Sequence, residues 1–247
     1  MGLGIRFYVD LSEVCMRYPR EAPIFENLYD AGRQLSEKLA EYKGQPVVVL
    51  AIPNGGLPVA LQVALALEAD LDVVISRKLP IPLRPEGGFG AIADDGAVIL
   101  NEAVVRELKL TDEQINYQVN KVRVDIRQRS LLYRGSRPLT VVSGKTVIIV
   151  DDGLASGYTM MAAVESVRRR RPNRIVAAVP AASAVAAKKV ETIADRLVTG
   201  TVGYMPEFYV SDFYRYWHVL TDDEGLKFLR EWRMRRFEPD IKATDQS

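Results

Sequence analysis

At 247 residues the chain is long enough for one large α/β domain or two small ones. Its 33 Lys and Arg against 32 Asp and Glu leave a net charge of +1, which gives no global electrostatic case for nucleic acid or an anionic membrane surface. One cysteine, Cys15, excludes an internal disulfide and a thiolate metal cage, and one histidine, His218, excludes a His-rich zinc site.

The longest apolar stretch, residues 175–187, is broken by Pro180 and falls short of the ~20 residues a helix needs to cross a bilayer. The N-terminus has no signal-peptide run, and Arg6 stands where a myristoylation start wants Ser or Thr. The chain reads as a soluble cytoplasmic protein without a membrane partner. Residues 1–24 carry no motif.

Apolar positions at helical spacing (Leu28, Ala31, Leu35, Leu39) predict a helix before Gly44. Residues 46–52 predict a buried strand, which ends in Pro53-Asn54-Gly55-Gly56 and runs into a helix near Leu57-Pro58. A third apolar run, 71–76, predicts a strand with Arg77 and Lys78 at its carboxyl end, where cations of an α/β sheet face the ligand crevice. Pro80, Pro82 and Pro85, then Gly87-Gly88-Phe89-Gly90, suggest a long connection and a candidate lid. A hairpin follows, turning at Asp94-Asp95-Gly96.

Residues 102–133 read as helical, with a capping box at Thr111–Gln114, and their basic positions (Lys121, Arg123, Arg127, Arg129) as a solvated outer face. Residues 134–145 link to the apolar strand 147–150. After the helix that follows it, Arg168–Arg171 complements the helix C-terminus. Strands at 174–180 and 196–199 flank a helix over 184–195. The segment from Gly203 is dense in aromatic residues, most of which belong to a small hydrophobic core. A final helix is expected over 222–235 and a frayed end over 238–247.

The stretch Val147–Thr159, VIIVDDGLASGYT, carries the chemistry. A buried strand ends in Asp151 and Asp152, and a small, hydroxyl-bearing loop leads into a helix N-terminus, whose free amides make an anion site. Carboxylates beside such a site suit a ligand with phosphate at one end and hydroxyls or a metal at the other, that is, a sugar phosphate. Receiver domains and Asp-x-Asp phosphatases also place aspartates at strand ends. Here, however, the two acids are adjacent, and neither class explains Ser156-Gly157-Tyr158-Thr159.

This stretch resembles the phosphoribosyl-pyrophosphate (PRPP) signature of the type I phosphoribosyltransferases at every typed position. The resemblance extends over about residues 25–224, nearest to a branch of predicted phosphoribosyltransferases of unassigned acceptor. It implies a doubly wound α/β fold, mainly parallel, with helices on both faces and the first and signature strands adjacent. A single domain is expected, with its core at about 25–202. A small hood would come from 1–24 and 203–220, and a C-terminal helix and tail from 221–247.

By resemblance Asp151 and Asp152 hold the ribose hydroxyls, directly or through Mg²⁺, and Ala155, Ser156, Gly157, Tyr158 and Thr159 cradle the 5-phosphate. Pro53, Asn54, Gly55 and Gly56 take pyrophosphate, although many relatives have a basic residue where Asn54 stands. Arg77 and Lys78 are the candidates to supply that charge, Lys78 also at the leaving group. Gly87–Gly90 corresponds to a loop that folds over PRPP, and Tyr214 or Trp217 is the candidate ring to stack on a base. The activity implied is transfer of the 5-phosphoribosyl group from PRPP to a nitrogen nucleophile of a small molecule, with Mg²⁺ as cofactor, and homodimers are common in the family. The alternative is a non-catalytic regulator that senses PRPP or a nucleotide and acts on nucleic acid or a protein partner.

Overall fold

The computed structural model describes residues 23–237. Residues 1–22 of the segment 1–24 expected to contribute to the hood, and the expected frayed end over 238–247, lie outside this range. Strands β1 (Val47–Ala51) and β2 (Asp70–Val73) are joined by helix α2 (Gly56–Leu67), which packs beside α1 (Leu28–Lys38). With β6 (Thr146–Val150), β7 (Arg174–Ser183) and β8 (Arg196–Gly203) they form a five-stranded sheet in the order β2-β1-β6-β7-β8. Every pairing in it is parallel, and β1 and β6 are neighbours.

Strand periodicity assigns the two faces of this sheet. Val47, Val49 and Ala51 of β1, with Ile148 and Val150 of β6, pack into the core formed with α1, α2 and the C-terminal helix α7 (Asp222–Phe237). Val48, Leu50, Val147 and Ile149 face the other way, against α5 (Tyr158–Arg168) and α6 (Ala184–Glu191). The expected doubly wound fold is therefore present. Among the described residues no helix is long and apolar enough to cross a membrane.

The predicted strand over 71–76 stops at Val73, and Ser76 opens a separate strand, β3 (Ser76–Ile81). It pairs antiparallel with β4 (Arg84–Ala93), which pairs with β5 (Val98–Leu100) in a second, three-stranded sheet. Arg77 and Lys78 thus belong to a hairpin rather than to the end of a parallel strand. Gly87–Gly90 lies inside β4, and Phe89 is wholly buried in the main core. The prolines that suggested an irregular connection are tolerated because β3 is an edge strand and Pro85 sits at the start of β4. What projects is the tip, where Leu83 is fully exposed.

Strand β7 also runs past Pro180 to Ser183, beyond its pairing with β6. There the missing proline N–H interrupts no ladder on that side. The helix expected over 184–195 ends at Glu191.

Two helices follow the small sheet, α3 (Glu102–Glu107) and α4 (Asp112–Arg134), the latter opening on the expected capping box of Thr111 and Gln114. The chain between β8 and α7 turns back over the carboxyl end of β6. It is tied to the start of the described chain by the Phe25 amide donating to the Phe213 carbonyl and the Arg215 amide to the Phe25 carbonyl.

Candidate functional site

Strand β6 delivers Asp151 and Asp152 to the carboxyl edge of the sheet, half-buried and side by side. The Asp152 amide donates to Asp151 Oδ1 at 2.9 Å. Burial, then the charge of Asp152, pushes the Asp151 carboxyl well above the usual range, and burial raises Asp152 to about 6. Two such groups favour holding one proton between them, or a cation, over two bare charges.

The loop after them is stitched to the end of β7. The Leu154 amide donates to the Ala181 carbonyl at 2.9 Å and the Ser183 amide to the Leu154 carbonyl at 2.8 Å, while Ser183 Oγ donates to the Ala155 carbonyl at 2.8 Å. Gly157, with φ 83°, then turns the chain into α5 without a side-chain cap. That conformation favours glycine. Among the described residues the amides of Ala155, Ser156, Gly157, Tyr158 and Thr159 have no backbone acceptor. Free amides at a helix N-terminus suit an anion, which gains from both the N–H groups and the helix dipole.

The loop Pro53–Gly56, whose first peptide bond is cis, lies against this one. Its two glycines set the approach: a Cβ on Gly55 would stand 1.7 Å from Asp152 Oδ2, and one on Gly56 would stand 2.6 Å from the Val150 carbonyl oxygen. A side chain on Gly55 would displace the Asp152 carboxylate, and one on Gly56 would press on the backbone at the end of β6.

Asn54 is held from three sides. Its Oδ1 accepts from Arg129 Nη1 at 2.9 Å and from the Tyr133 hydroxyl at 2.9 Å, and its Nδ2 donates to the Leu220 carbonyl at 2.8 Å. Arg129 reaches on to Asp222 at 2.6 Å. The cation behind the loop therefore comes from α4, whose Arg129 was expected to be solvated. Its i,i+4 spacing with Asp125 and Tyr133, one stripe of the helix, was the available signal.

Across the cavity, Lys78 Nζ donates to the Glu86 carbonyl at 2.7 Å, and burial holds its ammonium below the ordinary lysine range. Gly88 makes room for this side chain, since a Cβ there would lie 2.6 Å from Lys78 Cγ. Arg77 pairs with Asp125 at 3.1 Å.

One cavity of about 420 Å³ is lined by Pro53, Asn54, Gly55, Arg77, Lys78, Asp151, Asp152 and Thr159, whereas Gly56, Ala155, Ser156, Gly157 and Tyr158 lie outside its lining. Ser76 and Asp125, which sequence reasoning had not singled out, line it too. The Ser76 hydroxyl donates to the Thr159 carbonyl at 2.9 Å and so anchors the small sheet to the first turn of α5.

Tyr214 does not fit the stacking role expected of it. It is 5 % exposed, packs on Phe25 and Trp217 at centroid distances of 5.4 and 5.0 Å, and donates its hydroxyl to the Asp152 carbonyl at 2.6 Å. It supports the acidic turn from beneath. Trp217 is partly buried on its far side.

A family model described as the phosphoribosyl transferase domain matches residues 92–210. A Mycobacterium tuberculosis protein, provisionally named a phosphoribosyl transferase in each of two strains, is 37% identical over 216 residues. The match takes in 83% of this chain and 46% of that protein, so the chain spans about half the length of the curated relatives it matches. The crystal structure of TT1426 from Thermus thermophilus superposes with a TM-score of 0.67 at 33% identity, over 84% of this chain and 98% of that one.

Proposed function

Because the chain belongs to the phosphoribosyltransferase family, we propose that it transfers a 5-phosphoribosyl group from PRPP to a nitrogen nucleophile of a nucleobase-like acceptor and releases pyrophosphate. The observation that carries this reading is the adjacency of two loops at the carboxyl ends of neighbouring parallel strands, with paired acids between them. Crevices at that edge of an open α/β sheet are where ligands bind.

In this reading the free amides of Ala155–Thr159 take the 5-phosphate, and Asp151 and Asp152 take the ribose hydroxyls. The amides of Asn54 and Gly55 take the pyrophosphate together with Arg77 and Lys78, since the Gly56 amide already donates to the Ile52 carbonyl. Breaking the bond from C1 to the leaving oxygen makes the ribose cation-like and the departing group more anionic. The chain's work is to hold both ends in line and meet those charges where they develop. Lys78 faces the leaving group, and the carboxylates of Asp151 and Asp152 stand nearest the ribose.

Mg²⁺ fits this donor set. Two hard carboxylates, both raised by burial and Asp151 also by the charge of Asp152, would be relieved by a cation. Among the described residues no group of three or more metal-binding side chains exists. The protein would therefore contribute Asp151 and Asp152, with PRPP and water supplying the remaining oxygens, as Mg²⁺ prefers. Bound there, the ion would neutralise charge on the diphosphate.

The test is pyrophosphate release from PRPP and Mg²⁺ across purines, pyrimidines and non-base amines. One acceptor should give turnover that falls by about a hundredfold or more in the Asp151→Asn/Asp152→Asn variant. PRPP binding with no release from any acceptor would assign the site to sensing instead of transfer.

A further inference from the structure

A larger cavity, of about 640 Å³, opens where the C-terminal half of α4, the β4–β5 turn and the end of α5 meet. It shares no lining residue with the cavity at the acidic pair. Five guanidinium groups stand on its walls (Arg127, Arg134, Arg137, Arg169 and Arg170) against two carboxylates, Asp94 and Asp95.

Those carboxylates engage two of the cations, Arg134 at 2.8 Å and Arg169 at 3.2 Å. Arg137 donates to the Tyr133 carbonyl at 2.8 Å and Arg170 to the Thr140 carbonyl. A carbonyl satisfies an N–H but leaves the charge in place. Arg127 has no ion pair among the described residues. Arg134 is only 9 % exposed, yet its Nε has no partner. A buried donor of a cation without an acceptor is costly. Burial and the neighbouring Arg134 also push Arg170 below the usual arginine range.

The remaining wall is apolar: Ile126 is buried beneath it, and Leu131 and Leu139 are 68 % and 49 % exposed. Guanidinium groups bind phosphate in a bidentate way and stack on flat rings, and a cavity of this size suits a small organic ligand better than a bare ion. We propose that this cleft binds a nucleoside polyphosphate, with its phosphates on Arg127, Arg134, Arg169 and Arg170 and its base against Leu131 and Leu139. The run Arg168–Arg171 then serves two purposes, since Arg168 pairs with Asp195 at 3.2 Å while Arg169 and Arg170 face the cleft. Helix α4 passes both sites, since Arg129 and Tyr133 hold Asn54 and the next residue, Arg134, pairs with Asp94 on the wall of the cleft.

The probes are ATP, GTP and inorganic tripolyphosphate, titrated without Mg²⁺ into the full chain, the Arg127→Gln/Arg169→Gln variant and the Asp151→Asn/Asp152→Asn variant. Both arginines are exposed, and an unchanged melting temperature confirms that the arginine variant folds. One nucleotide should bind per chain, more tightly than tripolyphosphate. Its affinity should fall about ten- to a hundredfold in the arginine variant and hold in the aspartate variant. Three results would overturn the proposal. The first is no binding of any probe. The second is nucleotide binding that the arginine pair does not affect. The third is a concentration-dependent dimer that the arginine variant dissolves, which would make this face a contact between copies.

Discussion

Replacing Gly55 with alanine separates folding from ligand binding. The backbone of Gly55 is in the right-handed helical region (φ −60°, ψ −33°), so alanine adds no conformational strain. The new Cβ would stand 1.7 Å from Asp152 Oδ2 and 2.6 Å from Cγ. Carbon–carbon contact needs about 3.5 Å, so the carboxylate must swing away by more than 1 Å in order of magnitude. A side chain forced off its rotamer costs about 0.5–1.5 kcal/mol, and the lower entropy of the unfolded alanine chain returns about 0.4–1 kcal/mol. Net stability should therefore change by no more than about 1 kcal/mol. Binding is different, because a group misplaced by about 1 Å costs on the order of a hundredfold.

Gly56→Ala makes the contrast. There the added Cβ meets backbone, the Val150 carbonyl oxygen at 2.6 Å and Asp151 Cα at 3.0 Å, and neither can rotate aside. Its cost should appear as about 1–3 kcal/mol of lost stability. Urea unfolding and calorimetric titration with PRPP read both quantities. The reasoning fails if Gly55→Ala binds PRPP like the parent, or if the two variants lose equal stability.

Phe89→Ala should cost about 3–5 kcal/mol in urea unfolding, as a core truncation; a variant that kept its stability and lost only turnover would restore the lid role for this residue. Asn54→Ala removes one of the two acceptors that Arg129 and the Tyr133 hydroxyl share, Asp222 being the other, and takes the donor from the Leu220 carbonyl. It should lower stability by about 1–3 kcal/mol, with a matching loss of PRPP affinity measured by titration. In EDTA, stability followed by urea unfolding should fall as pH rises from about 4 to about 6. In the folded chain Asp152 keeps its proton up to about 6, against 3.8 for an ordinary aspartate, so folding takes up a proton across that window. Asp152→Asn should make the slope shallower, with Asp151 still contributing its own raised carboxyl, and an unchanged slope would contradict the burial of Asp152.

The middle of the parallel core was legible because β1 and the Val147–Val150 run of β6 are short and unbrokenly apolar, and because the small residues after them leave little choice but a tight turn. Asp151 and Asp152 could be picked out for the same reason: a carboxylate pair at the end of a buried strand needs an explanation. The antiparallel hairpin was not legible. Three prolines within six residues mimic a loop, and only pairing with β4 reveals that they occupy an edge and a strand start. Arg129 escaped because local pattern cannot tell a solvated arginine from one turned inward by a partner 75 residues away. Tyr214 looked like a stacking ring in a chain segment full of aromatics, and only its contact with Asp152 shows it to be a support.

The central claim is that the adjacent acids and the free amides after β6 grip opposite ends of one ribose 5-phosphate. Calorimetric titration of PRPP with Mg²⁺ tests it most directly. The account predicts one site per chain in the parent protein and loss of that site in Asp151→Asn/Asp152→Asn, with the melting temperature of the variant equal to or above that of the parent. No heat from the parent protein, or the same affinity after both acids are neutralised, would contradict it.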